Sequence, residues 1–178
     1  PEKRHLRISD LLKLTDGVQA RVLESAIGVA CQVGRSARRG KRIGTIIVLG
    51  DSSAVLEGSR QLVPNPFEGH QRESREITNP ETHDAILELA KLDGAFVARG
   101  DGFIRSAGVF LASAVTEEDG VTMPSGLGAR HVAAAAVTAR TAATSVAVSA
   151  TDGNVRVFSG GEMVMQVDPD AVQQVQLE

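Results

Sequence analysis

Residues 79–112 read NPETHDAILELAKLDGAFVARGDGFIRSAGVFLA and carry a helix, a buried strand and a hairpin in order. Asn79-Pro80-Glu81 is a helix start. It offers a side chain that can accept from free amides, a proline whose missing N–H is harmless in the first turn, and an acid. Ile86, Leu87, Leu89 and Ala90 are the apolar positions, and the helix is expected to run to about Leu92. Asp93-Gly94-Ala95 ends it. Phe96 to Ala98 then reads as a strand, Arg99-Gly-Asp-Gly102 as a turn and Phe103 to Ala112 as a second strand.

Upstream, Ile43 to Leu49 (IGTIIVL) is a β-branched run that reads as a buried strand. Before it, Val18, Val22, Leu23, Ala26, Ile27, Ala30 and Cys31 recur at helical spacing, with Thr15 and Asp16 as caps and Gly34 as the stop. Residues 50–79 read as a long surface connection with one short strand near Gln61 to Val63. Downstream, a helix is expected from Ala129 to Thr141, followed by strands at Ser145 to Ser149, Val155 to Phe158 and Met163 to Val167. There is no internal repeat. The class is therefore α/β, a mixed, twisted central β-sheet flanked by helices. Residues 1–14 read as a charged lead-in, 15–169 as one domain and 170–178 as a polar tail.

A length of 178 residues fits about one domain and allows a sizeable core. The chain starts at Pro1 rather than Met, so it is expected to be part of something longer. A single cysteine excludes an internal disulfide framework and a four-thiolate zinc site, and fits a reducing, cytoplasmic compartment. Cys31 lies on an apolar helix face and reads as core. No apolar run is long enough for a membrane span, and no signal segment opens the chain. The net charge of −3 and 3% aromatic content argue against a nucleic-acid surface. Arg35, Arg38, Arg39, Lys41 and Arg42 crowd together. They read as a solvated turn first and as a phosphate-attracting rim second.

Two places concentrate chemistry. Asp93-Gly94-Ala95 puts a carboxylate at a strand entry beside a glycine that lets a ligand approach the backbone. Taken alone, it is more simply a turn. Gly126-Leu-Gly-Ala-Arg-His131 runs into the alanine-rich helix. Glycines there expose amides at a positive helix end, Arg130 adds a fork of donors, and His131 can donate or bind metal. That coincidence favours anion binding, although the stretch is neither a Walker loop nor a dinucleotide fingerprint. His5, His70 and His83 show no ligand spacing, and no Gly-x-Ser-x-Gly elbow exists. Asp51 reads as the start of a turn.

Asp-Gly-Ala at a strand entry, followed about 35 residues later by Gly-x-Arg-His opening a helix, resembles the diadenylate cyclase domain of DNA integrity scanning protein and its relatives. The similarity extends from about Ile43 to Val167 and includes Ser106-Ala-Gly-Val-Phe-Leu111 and Val148-Ser149. Asn65-Pro66-Phe67 and Gly-Ala-Arg-His look closer to archaeal members. The resemblance implies condensation of two ATP into cyclic di-AMP and two pyrophosphates, with Mg²⁺ or Mn²⁺ as the metal. It implies a face-to-face homodimer or larger even assembly. By the same resemblance Asp93 serves the metal and the nucleophile, and Arg130 and His131 orient phosphates. Gly94, Ala95, Gly108, Leu111, Gly128, Ala129 and Ser149 would hold the nucleotide.

Three positions depart from that pattern. Ala129 stands for a threonine, Val132 for a second arginine, and the acid expected after Ser149 is missing, with Asp152 as its possible substitute. The Arg35–Arg42 run, or Arg72 and Arg75, is the expected compensation for the lost arginine. Two rival readings remain: a catalytically weak or inactive module that holds ATP or cyclic di-AMP, and an interaction domain whose motifs are accidental.

Overall fold

The alternation of side chains along the strands decides the architecture. The computed structural model describes residues 8–112, 117–121 and 123–171. Its seven strands are β1 (Ile46–Leu49), β2 (Ser59–Gln61), β3 (Ala95–Ala98), β4 (Ile104–Leu111), β5 (Thr144–Val148), β6 (Val155–Ser159) and β7 (Glu162–Val167). They form one sheet in the order β2-β4-β3-β1-β5-β6-β7. Only β1 and β3 run parallel; the other neighbours are antiparallel. The mixed α/β sheet expected from the sequence is therefore present.

Both faces of the central strands are buried, and period 2 sorts their side chains. Ile47, Leu49, Phe96, Ala98, Val146, Val148, Val155 and Val157 face one core. That core is closed by helices α2 (Ala20–Ser36) and α4 (Pro80–Leu89). Ile46, Val48, Ala95, Val97, Ala147 and Phe158 face the other, beneath helix α5 (Ala129–Arg140). Ala134, Ala135 and Ala136 of α5 are fully buried. Their small side chains let the helix axis approach the sheet, so Ser145 Oγ reaches the Ala134 carbonyl at 2.8 Å.

Helix α2 begins at Ala20, not near Thr15-Asp16, and Gln19 at its cap makes no side-chain cap bond. The Gln19 amide donates to the Gly100 carbonyl instead, at 3.0 Å. Gly34 does not stop the helix. It is bare because a Cβ there would lie 2.2 Å from the Gly153 carbonyl oxygen. The helix runs to Ser36 and into a π turn, Ala37–Lys41. Residues 50–79, expected as a long surface connection with a strand near Gln61 to Val63, hold a short helix α3 (Ser52–Glu57), and the strand is Ser59–Gln61. Asp51 caps α3 in the left-handed region (φ 39°), and its carboxylate accepts from the Ala142 amide at 2.9 Å. A short helix α1 (Ile8–Leu11) brings a fully buried Leu11 to the core from within the segment read as a lead-in. Residues 1–7 and most of the tail, 172–178, lie outside the described residues.

Helix α4 starts as expected, with the Asn79 side-chain Oδ1 accepting from the Glu81 amide at 3.1 Å. No helix among the described residues is long and apolar enough to cross a membrane.

Candidate functional site

The turn from α4 into β3 and the start of α5 meet at one end of the sheet. Gly94 makes that turn at φ +107°. A Cβ on Gly94 would lie 2.7 Å from Gly108 Cα and 2.8 Å from the Val109 amide nitrogen, so β3 and β4 touch there as only a glycine permits. Gly108 is itself at φ +69° in the irregular β3–β4 register. It stands behind the cleft wall rather than lining it, and its carbonyl accepts from Leu62. The other expected residues all line one cleft of about 490 Å³: Asp93, Gly94, Ala95, Leu111, Gly128, Ala129, Arg130, His131 and Ser149.

One wall is apolar, built from Leu62, Val109, Phe110 and Leu111. Opposite it is the α5 N-terminus. Gly128 is its cap and offers no side-chain oxygen, so the first amides of this 12-residue helix face the cleft without a side-chain acceptor. Arg130 Nη2 stands 3.9 Å from Asp93 Oδ1. The Asp93 side chain is 86% exposed, and among the described residues its only hydrogen bond is from the Gly94 amide. That carboxylate therefore keeps oxygen lone pairs turned to the cleft.

The floor holds a residue that sequence reasoning missed. Arg156 lies on β6, on the α5 face, and its side chain is only 8% exposed. Its Nη2 meets Asp152 Oδ2 at 2.8 Å, its Nε donates to Gln166 at 3.1 Å, and its Nη1 lies 3.2 Å from His131 Nε2. A guanidinium only donates, so His131 Nε2 accepts and the ring proton is assigned to Nδ1. Burial, reinforced by the Arg156 charge, pulls the His131 pKa below its ordinary value. The imidazole is accordingly neutral at pH 7. Partial burial works to raise the Asp152 carboxyl. Arg156, the Asn154 amide and the Ser149 hydroxyl outweigh it and hold that group well below the usual carboxylate range. Ser149 Oγ also accepts from the Thr151 and Asp152 amides, at 3.3 and 3.2 Å.

The basic run divides. Arg35 donates to the Pro169 carbonyl, and Arg38 clasps Asp168 and Asp170 at 2.7 and 2.5 Å. Both are structural. Arg72 and Arg75 lie at the other end of β4 and do not reach the cleft. They do not replace the arginine absent at Val132, and Arg156, the other guanidinium lining the cleft, is already engaged by Asp152, Gln166 and His131. Its signal in the sequence was an arginine inside Val155-Arg-Val-Phe158, a strand too apolar to be an exposed edge.

Among the described residues no three His, Cys, Asp or Glu side chains converge on a metal position. Asp93 and Asp152 nevertheless offer hard carboxylate oxygens on the cleft wall. That donor set fits Mg²⁺ or Mn²⁺, ions that complete their shells with water and substrate phosphates.

Residues 32–163 match the family described as DisA bacterial checkpoint controller nucleotide-binding. The chain belongs to the DAC family. A protein named diadenylate cyclase from Methanocaldococcus jannaschii is 39% identical over 172 residues, 95% of this chain and 53% of that protein. Another from Haloferax volcanii is 37% identical over 150 residues, 84% of this chain and 54% of that protein. The DAC chain thus spans about half the length of the curated relatives it matches. Its fold is also that of a DacA double mutant from Staphylococcus aureus (TM-score 0.54, 20% identity, 85% of this chain and 92% of that one). A hypothetical membrane spanning protein from Bacillus cereus is similar as well (TM-score 0.60, 16% identity, 90% and 70%).

Proposed function

We propose that this DAC domain is a nucleotidyltransferase, a diadenylate cyclase that condenses two ATP into cyclic di-AMP and two pyrophosphates. The observation that carries the reading is the open Asp93 carboxylate facing Arg130 and the uncapped α5 N-terminus across one cleft. In each of two steps a 3′-oxygen forms a bond to the α-phosphorus of the other ATP. The α–β bridging bond breaks, pyrophosphate leaves, and the hydroxyl proton is lost. Asp93 would accept that proton or hold the metal that acidifies the hydroxyl. A Mg²⁺ or Mn²⁺ held by Asp93, with Asp152 in support, would neutralise phosphate charge and acidify the hydroxyl.

The remaining residues bind and orient. Leu62, Val109, Phe110 and Leu111 offer an apolar wall to the adenine. Gly94 and Ala95 let the nucleotide approach the backbone. The amides of Gly128 to Arg130, together with the Arg130 fork, meet charge developing on phosphate oxygens. Neutral His131 would donate from Nδ1, and Ser149 would meet the terminal phosphates. Product symmetry requires two clefts face to face, so the active species is a homodimer or larger even assembly, and specific activity should fall on dilution. A cytoplasmic location fits the ATP requirement and the unpaired, buried Cys31.

The test is incubation with ATP and Mn²⁺ or Mg²⁺, with products resolved by chromatography and mass. Cyclic di-AMP is expected. Asp93→Asn should lower its formation by about 10²–10⁴-fold, while the melting temperature stays unchanged because the side chain is exposed. Near-native turnover in that variant would remove Asp93 from the mechanism. Tight ATP binding with no product under either metal would favour the binding-module reading instead.

A further inference from the structure

The turn between β5 and β6 enters the cleft through Ser149, Ala150, Thr151 and Asp152. Two bonds close it: the Gly153 amide donates to the Ser149 carbonyl and the Ser149 amide to the Asn154 carbonyl, each at 3.0 Å. Arg156 holds the Asp152 carboxylate from the cleft side. The opposite side of the turn is held by Arg38, which does not line the cleft. Arg38 Nε donates to the Asp152 carbonyl at 2.9 Å, and its Nη2 donates to Asn154 Oδ1 at 3.0 Å. Its Nη1 meets Asp168 and Asp170 at 2.7 and 2.5 Å. The hold on the two aspartates is thus only half of what this guanidinium does. Its other half grips the turn.

Close packing delivers Arg38 to that place. A Cβ on Gly153 would lie 2.5 Å from the Gly34 carbonyl oxygen and 2.8 Å from Arg38 Cγ, so the end of α2 and the stem of Arg38 press directly on the turn. Asp152 is therefore gripped by two arginines from opposite sides, its carbonyl by Arg38 and its carboxylate by Arg156. That leaves the residue little freedom to rotate. The amides of Thr151 and Asp152 in turn bond Ser149 Oγ, so the setting of the turn fixes the Ser149 hydroxyl as well. Arg35 provides the contrast. It lies on the same helix end, and among the described residues its one hydrogen bond goes to the Pro169 carbonyl at 2.8 Å. Arg35 holds the segment after β7 and leaves the turn alone.

We propose that Arg38 is a positioning residue for the cleft: anchored on Asp168 and Asp170, it sets the 149–154 turn from behind and so fixes where Ser149 and Asp152 stand toward a bound nucleotide. This rests on the nucleotidyltransferase reading above and deepens it. Arg38 touches no substrate and acts only through the turn.

The test separates positioning from anchoring. Arg38→Gln should raise the KM for ATP about fivefold, the scale of one misplaced hydrogen bond, with kcat within about twofold of the parent. Amide hydrogen exchange at Gly153 and Asn154 should speed up about fivefold or more, while Val146 and Val157 in the core strands keep their protection. Arg38→Lys keeps the charge without the fork that spans both partners, so it should recover the melting temperature but not the KM. Asp168→Asn/Asp170→Asn removes only the anchor and should shift KM and turn exchange in the same direction, by less. Arg35→Gln loosens the same C-terminal segment without touching the turn and should leave both as in the parent. Unchanged KM and turn exchange in Arg38→Gln overturn the proposal. So does an equal rise of KM in Arg35→Gln, which would make the effect one of the C-terminal segment alone. The two readings fail separately. If the parent makes no cyclic di-AMP, the chemistry is wrong, and turn exchange together with ATP affinity by calorimetry still decides for or against Arg38.

Discussion

The two ends of the β3–β4 pair use the same residue types in opposite ways. At the hairpin end, Arg99 and Arg72 both meet the Asp101 carboxylate, and Arg72 also pairs with Glu76 at 2.8 Å. Arg75 donates to the Ile104 and Arg105 carbonyls, and all three guanidiniums lie over the Phe103 ring. Each charge there has found an internal partner. At the cleft end, Asp93 and Arg130 form only a loose ion pair at 3.9 Å, with no hydrogen bond between them, and the α5 amides lack a capping side chain. Arginine content alone therefore says nothing about anion binding. What matters is whether the fold has already satisfied the arginine.

The sharpest way to break this contrast is to neutralise one arginine at each end. Arg130→Gln should lower cyclic di-AMP formation by about 10²–10³-fold, the scale of losing one transition-state donor. Arg99→Gln should leave turnover within twofold and cost under about 1 kcal/mol, as for an exposed pair. Equal losses in a steady-state assay would show that the hairpin end also serves catalysis.

A matched pair of glycines comes next. Gly94→Ala must force β4 away and strain a positive φ, at a cost of about 3 kcal/mol. Gly100→Ala places its Cβ 1.8 Å from the Gly17 carbonyl oxygen and should lower the melting temperature comparably. Saturating ATP should still raise the melting temperature of Gly100→Ala but not that of Gly94→Ala. If ATP stabilises both, Gly94 only shapes a turn.

Arg156→Met should have a smaller effect. It leaves Asp152 and His131 without their shared partner, costing about 2 kcal/mol, or a melting point lower by about 4–8 °C. Arg156→Lys restores the charge without the fork and should recover only part of the loss. Full recovery would mean that charge, not geometry, organises the floor.

The smallest effect is in pH. The folded pKa of His131 lies below its unfolded value of about 6.5. The neutral form is thus the one that folding favours. Its contribution is complete above that value and is lost as pH falls through the folded pKa. Acidification from pH 7.5 to 5 should therefore lower the melting temperature more in the parent than in His131→Gln. Parallel profiles would assign the acid sensitivity elsewhere.

Most of the fold was legible because its signals were long or repeated. Asn79-Pro80-Glu81 announced α4, β1 showed as a β-branched run, and β3 to β7 showed as short, largely apolar segments set off by turns. Helix α3 was not, since six residues are too few for a helical period to show. The α2 boundaries were misplaced because tertiary contacts decide them: Gln19 bonds Gly100, and Gly34 abuts Gly153. At the site, Asp93, Arg130 and His131 were readable as motifs. Arg156, Leu62 and Phe110 were not, because what makes them part of the cleft is strand pairing across the sheet rather than any local pattern.

Phe110 stands at the cleft lip, 45% exposed, with the Arg60 guanidinium 5.3 Å above its ring. The chain has neither tryptophan nor tyrosine. It is therefore almost dark to near-ultraviolet fluorescence, and Phe110→Trp would give this chain a single indole emitter. Any purine entering the cleft would pass beside it, so nucleotide arrival, turnover and release could be followed optically in real time without a labelled substrate.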